Sequence, residues 1–360
     1  MTSTPEQVTR PEKLRAEASG VSLVDRPPAL VRLWKSSRHL LPVVSLLALI
    51  FIVFSFTNEY FLTAANMKIL MTSSTALWVI ALGMTFAMIS GAVDLSIGAL
   101  IALLAIMFAT LINMGLPSVL AFVVTVIAGA LIGGLVNGVL IGRLQLSFLL
   151  VTMATLTAFT GFVNIWSDTR SIPVTSTVTD VIAFGDIMGI NASIFIMIVT
   201  FAVALFVQSR TFFGRDVYAV GGNPVAARLA GINATRTTIA VFAIVGMTAA
   251  IAAVVGIGRS AAASPTVDNL LPLQAIACVL LGGTAMTGGS GGVGGTVLGV
   301  LFLATLGNGL SLSGISSYWQ GVVTGVILVG AVLLNRLSGG AMTRRPIRRY
   351  HGSLARGPAK

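Results

Sequence analysis

The chain predicts an all-α polytopic membrane protein with about ten transmembrane helices, and three observations lead there. Hydrophobic residues make up 56% of the 360 and charged residues only 9%, where soluble domains carry about 25% charged. Apolar runs of about 18–22 residues recur along the chain, the length a helix needs to cross a bilayer core. The basic residues also sort by position. Of 22 lysines and arginines, seven lie in residues 1–39, seven in 335–360, and most of the others in alternate loops. A soluble helical protein has no need of so many long uncharged runs.

In chain order, residues 1–39 carry Pro5, Pro11, Pro27 and Pro28 among mixed charges and read as a largely disordered basic tail. They do not form a signal peptide, because the first apolar run starts too late and no small-residue cleavage pattern follows it. A transmembrane domain over 40–335 then holds the expected spans at 40–56, 71–90, 95–114, 117–140, 147–166, 191–209, 237–257, 271–286, 293–312 and 318–335. The glycine-rich stretch 286–293 either ends a span or re-enters. Residues 336–360 form a second basic tail.

Orientation follows the excess of basic residues on the cytoplasmic side. Arg143, Arg210, Arg215, Arg228 and Arg236 fall in loops on the side of both tails. Lys68, Arg170 and Arg259 fall opposite, beside Glu59, Asp168, Asp180, Asp186 and Asp268. Both termini are therefore expected in the cytoplasm, which requires an even number of spans. The net charge of +11 is accounted for by this topology against an anionic leaflet, so no nucleic-acid partner is expected. Cys278 is the lone cysteine and lies in an apolar run, while His39 and His351 sit in or beside the tails. No disulfide, metal site or His-based catalysis is expected. Trp34, Trp166, Trp319 and Tyr318 fall near expected interfaces, where such rings anchor helices.

The segment from Gly214 to Ile232, GRDVYAVGGNPVAARLAGI, is polar and arginine-bearing between two apolar runs. It encodes a short helix with explicit ends: Asn223 as cap, Pro224 in the first turn, Gly231 as a left-handed terminator. Two turns are not stable alone in water, and the small residues Ala226, Ala227 and Ala230 let a partner approach closely. It reads as a docking element within a cytoplasmic loop over 210–236.

Two stretches echo each other, LGMTFAMISGAVDLSIGALIAL from Leu82 and LGGTAMTGGSGGVGGTVLGVL from Leu281. Each has an apolar helix, a break of small residues and a second apolar helix, and the topology makes the repeat parallel. Asp94, the only acidic residue among the spans and their immediate breaks, either caps the next helix through the Ser96 or Ile97 amides or serves a gate or pathway. Ser96, Asn137 and Thr155 are polar groups in or near spans that line a path or bond a neighbouring helix.

GMTFAMISGAVDLSIG (83–98), GLVNGVLIGRL (134–144), GRDVYAVGGNPVAARLAGI (214–232) and QAIACVLLGGTAMTGGSGGVGGTVLG (274–299), in this order, resemble the permease subunit of ribose-type bacterial ATP-binding-cassette importers. The resemblance spans about residues 40–335. It implies a permease dimer, or a pairing with a related permease, in the cytoplasmic (inner) membrane. It further implies cassette ATPase subunits below and an extracytoplasmic solute-binding protein above, with a monosaccharide or similar polyhydroxylated solute as cargo. It assigns ATPase coupling to Gly214, Arg215, Tyr218, Gly221, Gly222, Asn223, Ala226, Ala227, Arg228 and Gly231. No phosphate-binding loop with its Lys is present, so the chain is expected to be no enzyme and to hold no cofactor, with ATP and magnesium on the partner.

Departures from the resemblance are Ser147-Phe148 for a common Pro-Pro, Thr160-Gly161 for Arg-Gly, and Pro272 for a Glu. Competing readings are a nucleoside or amino-acid importer permease, an ion-coupled transporter using Asp94, and a membrane enzyme. The last lacks paired carboxylates or a Ser/His dyad.

Overall fold

A computed structural model describes residues 40–330 apart from Met188, Ser317, Gln320 and Leu328. Both basic tails, and the end of the expected span 318–335, lie outside the described residues. The helices are α1 (Leu41–Thr57), α2 (Ala64–Ile89), α3 (Ile97–Asn113), α4 (Ser118–Gly142), α5 (Phe148–Ser167), α6 (Thr177–Phe184), α7 (Ala192–Arg210), α8 (Phe212–Gly222), α9 (Pro224–Leu229), α10 (Ala234–Ser260), α11 (Leu270–Leu281) and α12 (Val293–Leu312).

Six of these, α2, α4, α5, α7, α10 and α12, are long and apolar enough to cross a membrane, while α1, α3 and α11 are apolar but shorter. The expected span 271–286 is the clearest departure. Its helix α11 has 12 residues, about 18 Å at 1.5 Å per residue, too short to cross a core of about 30 Å. Gly283 ends it in a left-handed conformation, φ 83°.

α10 is the central helix, with Val241, Phe242, Val245, Ala249, Ala250 and Val254 all buried. It packs against α2, α3 and α4. The membrane-crossing window of α2 is 67% buried and that of α7 only 22%, which separates a core helix from a peripheral one. Peripheral helices turn Phe56, Ile127, Phe162, Ile165 and Phe206 outward, side chains suited to lipid.

The α4–α10 contact is a seam of backbone against backbone. A Cβ on Gly129 would strike the Gly246 carbonyl, one on Gly246 the Gly129 carbonyl, one on Gly133 the Phe242 carbonyl, and one on Gly138 the Ile239 Cα. Small residues permit such approach, and dispersion between the two backbones holds the pair where no hydrophobic force acts between membrane helices. Gly133 and Gly138 are five apart, which would rotate one of them off the face of an α-helix. The run Ile132–Gly138 is π-helical, and its wider turn returns both to the seam.

The connections lie at two ends. One end carries the two-residue strands β1 (Ile172–Pro173) and β4 (Ala262–Ala263), antiparallel with Ile172 opposite Ala263, and the hairpin β2 (Asp186–Ile187) with β3 (Ile190–Asn191). The other holds the α2–α3 break, the α4–α5 turn, the 211–233 segment and the α11–α12 break. The Arg170–Asp168 pair, 3.5 Å apart, is more than four-fifths exposed on both sides, a geometry that contributes little to stability.

The echoed breaks share a closure. Ala92 N donates to Ala87 O beyond Gly91, and Thr284 N to Val279 O beyond Gly283, the six-to-one bond of a glycine-terminated helix. This sets Gly91 opposite Gly283, a different register from the one pairing Leu82 with Leu281.

Substituting Gly246→Val should cost about 2–4 kcal/mol through overpacking, seen as a lower thermal midpoint in detergent. Gly256→Ala, on the same helix but facing open space, should leave the midpoint unchanged or slightly raised.

Candidate functional site

The 214–232 segment folds with the ends its sequence encodes. Asn223 Oδ1 accepts from Val225 N and Ala226 N, both at 3.0 Å, with Pro224 as the first residue of α9. Gly231 adopts φ 84°, letting Ile232 N reach back to Ala227 O at 3.0 Å. The preceding residues form a second helix, α8, that a single-helix reading does not anticipate. Thr211 caps it through Gly214 N at 3.0 Å, and Gly214 is buried where a Cβ would strike the Val207 and Gln208 carbonyls.

The ten residues assigned to coupling divide into two groups. Arg215, Gly222, Asn223, Ala226, Arg228 and Gly231 are exposed; Arg215 lies 4.3 Å over the Phe212 ring. On α9 the outward face also includes Val225 and Leu229, 63% and 86% exposed, large apolar side chains standing in the open. Ala227 is buried, so the close approach its small size permits is to this chain's own interior rather than to a partner. Gly214, Tyr218 and Gly221 likewise face inward.

Those inward residues meet both helix breaks. Gly289 N donates to Ile89 O at 2.8 Å. A Cβ on Gly221 would strike the same Ile89 carbonyl, one on Gly288 would fall 2.8 Å from Gly221 O and 2.9 Å from Gly91 Cα, and one on Gly289 2.6 Å from Gly222 Cα. Three backbones thus touch at one point: the end of α2, the end of α8 and the break before α12. Gly91, Gly288 and Gly289 hold φ values of 87°, 83° and 72°, a region costly for any other residue.

A polar relay runs alongside, through a residue that sequence reasoning missed. Gln208, in the last turn of α7, donates Nε2–H to Tyr218 Oη at 2.7 Å and accepts from Val293 N, the first residue of α12, at 2.8 Å. Tyr218 in turn donates to Gly291 O at 2.6 Å. Burial pushes the Tyr218 phenol up from its ordinary range, against the pull of the Gln208 bond, so it stays a neutral donor at physiological pH. The signal for Gln208 was a lone amide closing an otherwise apolar run, ten residues before Tyr218.

Three of the four expected path or gate residues come together. Asp94 Oδ1 accepts from Ser96 N at 2.8 Å and Ser96 Oγ at 2.6 Å, while Asn137 Nδ2 donates to Asp94 Oδ2 at 3.2 Å and Ser96 Oγ at 2.9 Å. All three are fully buried. The cluster closes the α2–α3 break and fastens it to the π-helical part of α4. Asn137 Oδ1 has no partner among the described residues. Thr155 stands apart: its hydroxyl bonds Val151 O and Thr152 O within α5. Of the departures from the resemblance, Thr160 also bonds its own helix, at Leu156 O, and Pro272 is buried in the first turn of α11.

Six membrane-crossing helices, a buried polar clip and a short outward helix welded to two helix breaks define a multi-pass membrane protein of the permease class. The chain belongs to the family described as branched-chain amino acid transport system / permease component, whose pattern matches residues 66–332. It is 37% identical over 299 residues to the ribose import permease of Bacillus subtilis, covering 82% of this chain and 92% of that one. The ribose import permease of Haemophilus influenzae is 34% identical over 302 residues with the same coverage. The xylose transport system permease of Escherichia coli is 30% identical over 356 residues, covering 81% and 90%. No solved structure matches the chain.

Asn137→Leu strips the Asp94 carboxylate of its only donor from α4 and should cost about 1–3 kcal/mol, read as a lower thermal midpoint. Ser96→Ala, which leaves the Asn137–Asp94 bond in place, should cost less. A fall in transport with an unchanged midpoint would instead make the cluster a gate.

Proposed function

We propose that this chain is the membrane-spanning subunit of an ATP-binding-cassette importer for a monosaccharide or similar small polyhydroxylated solute. It works in the cytoplasmic (inner) membrane of a bacterium. The observation that carries the reading is α9: a capped two-turn helix at the basic end, with Leu229 86% exposed, whose base is locked to both helix breaks. An isolated helix of six residues has no stability of its own, and an exposed apolar side chain of that size calls for a partner. The relatives named for ribose and xylose import support the sugar as cargo.

In this reading the basic end faces the cytoplasm. The chain passes once more from the strand end to the basic end between β4 and the break before α12, with α11 filling only part of that passage; counted with α1, α3, the stretch from residue 318 and the six long helices, it gives ten crossings and places both tails on that side. Val225, Ala226, Arg228 and Leu229 then meet the cassette ATPase, which holds the ATP and magnesium, while this subunit performs no hydrolysis. Closure of the ATPase pushes on α9. The glycine contact and the Gln208–Tyr218 relay pass that push to α2 and α12, tilting them against the rest of the bundle. A second permease copy, or a related chain, completes the path. An extracytoplasmic binding protein delivers the solute to the opposite end.

The test is affinity purification of the membrane protein carrying Arg228→Glu with Leu229→Arg. Both positions are exposed, so folding should be unaffected and a co-purifying cassette ATPase should be lost. Retention of the ATPase by this variant, or its absence from the well-folded wild type, would refute the docking role. Tyr218→Phe should keep the ATPase bound yet lower uptake per ATP hydrolysed severalfold, since it removes the bond to Gly291 and leaves the outward face intact.

A further inference from the structure

The end opposite the glycine contact holds a cavity of about 540 Å³, walled by α2, α11, α12 and residues 323–324, with Arg259 and Asp268 at its rim. Asp94, Ser96, Asn137 and Thr155 do not line it. Its size falls in the range of small-molecule sites, about 300–1,000 Å³. Its wall is mixed: aliphatic groups from Ile69, Leu77 and Leu303 share it with the polar side chains of Ser73, Ser74 and Asn308.

Gln274 is the decisive one. It lies on α11 between apolar residues, lines the cavity and makes no hydrogen bond or ion pair among the described residues. An amide offers two donors and an acceptor with two lone pairs, and at this half-buried position on the cavity wall they are available to water or to a guest. Across the cavity Asn308 is fixed by a reciprocal pair with Asn66, at 3.0 and 2.9 Å, which leaves it one further N–H and one lone pair. Arg259 bonds Ser73 O at 3.1 Å, and Asp268 caps α11 through Leu270 N and Leu271 N at 2.9 and 3.2 Å. Donors and acceptors of both kinds, with one cation and one anion at the rim, suit a neutral guest rich in hydroxyls better than a fixed charge.

We propose that this cavity is a solute site within the single subunit, taking one neutral polyhydroxylated molecule of monosaccharide size with Gln274 as its principal hydrogen-bonding residue. The proposal rests on the sugar-importer reading and specifies where in the chain the solute pauses. Because α2 and α12 form two of its walls, the tilt that starts at the glycine contact reshapes it.

The test uses the full chain reconstituted with its ATPase and binding protein. Gln274→Leu should reduce uptake of radiolabelled ribose and xylose about tenfold while the ATPase still co-purifies, with Gln274→Asn recovering part of it. In parallel, Gln274→Cys in a Cys278→Ala background should react with a hydrophilic methanethiosulfonate reagent, and the sugar that is transported should slow the reaction. Wild-type uptake by Gln274→Leu, or an inert thiol at 274, overturns the proposal. A wild type that moves neither pentose overturns the choice of sugar under the function proposed above. The thiol at 274 then still decides on its own whether the cavity is open to a polar guest.

Discussion

Everything at the basic end depends on three backbones meeting without side chains between them. Gly221 and Gly222 from α8 lie against Ile89–Gly91 at the end of α2 and against Gly288–Gly289 before α12. A methyl at the tightest of these positions would overlap a carbonyl oxygen, so only glycine lets the three elements come this close. The contact is rigid because there is no rotamer in it. A side-chain interface could absorb a small displacement by repacking, whereas a backbone interface transmits it. That property is what joins a surface helix of six residues to two helices of the bundle.

Two further devices give those helices a defined partner at each end. Thr85 and Thr296 share a hydrogen bond of 2.7 Å between their buried hydroxyls near the glycine contact, and Asn66 pairs with Asn308 at the far end. α2 and α12 therefore run antiparallel and are fastened at both ends, with the cavity wall between the fasteners. α10, by contrast, is held along its length by the glycine seam with α4.

The six long helices were legible because each fills a long, nearly uncharged apolar run, and the ends of α9 because Asn223, Pro224 and Gly231 act on their immediate neighbours. The meeting of Asp94, Ser96 and Asn137 was half legible: the cap to Ser96 is local, but Asn137 arrives from a different helix. What the sequence could not display is anything whose cause lies far along the chain. α8 contains three glycines, which oppose a helix locally, yet a Cβ on Gly214 would strike the carbonyls that end α7 and one on Gly221 the Ile89 carbonyl of α2. Ala227 looked like part of a docking face and is buried, because the side of a two-turn helix that faces inward is set by the rest of the fold. Gln208 drew no attention, since its partners Tyr218 and Val293 are recognisable only once α7, α8 and α12 are in place. The short α11 and the register of the two breaks likewise depend on where the glycine closures fall rather than on how far the apolar run extends.

The Asp94 cluster also bears on how the chain is made. The α2–α3 unit is synthesised with a carboxylate at its bend, and the α4 amide that satisfies the carboxylate's second oxygen lies 43 residues later. α2 through α4 is therefore the shortest stretch of chain that holds every hydrogen-bond partner of the carboxylate, and the order of ribosomal synthesis sets when the bend can be sealed.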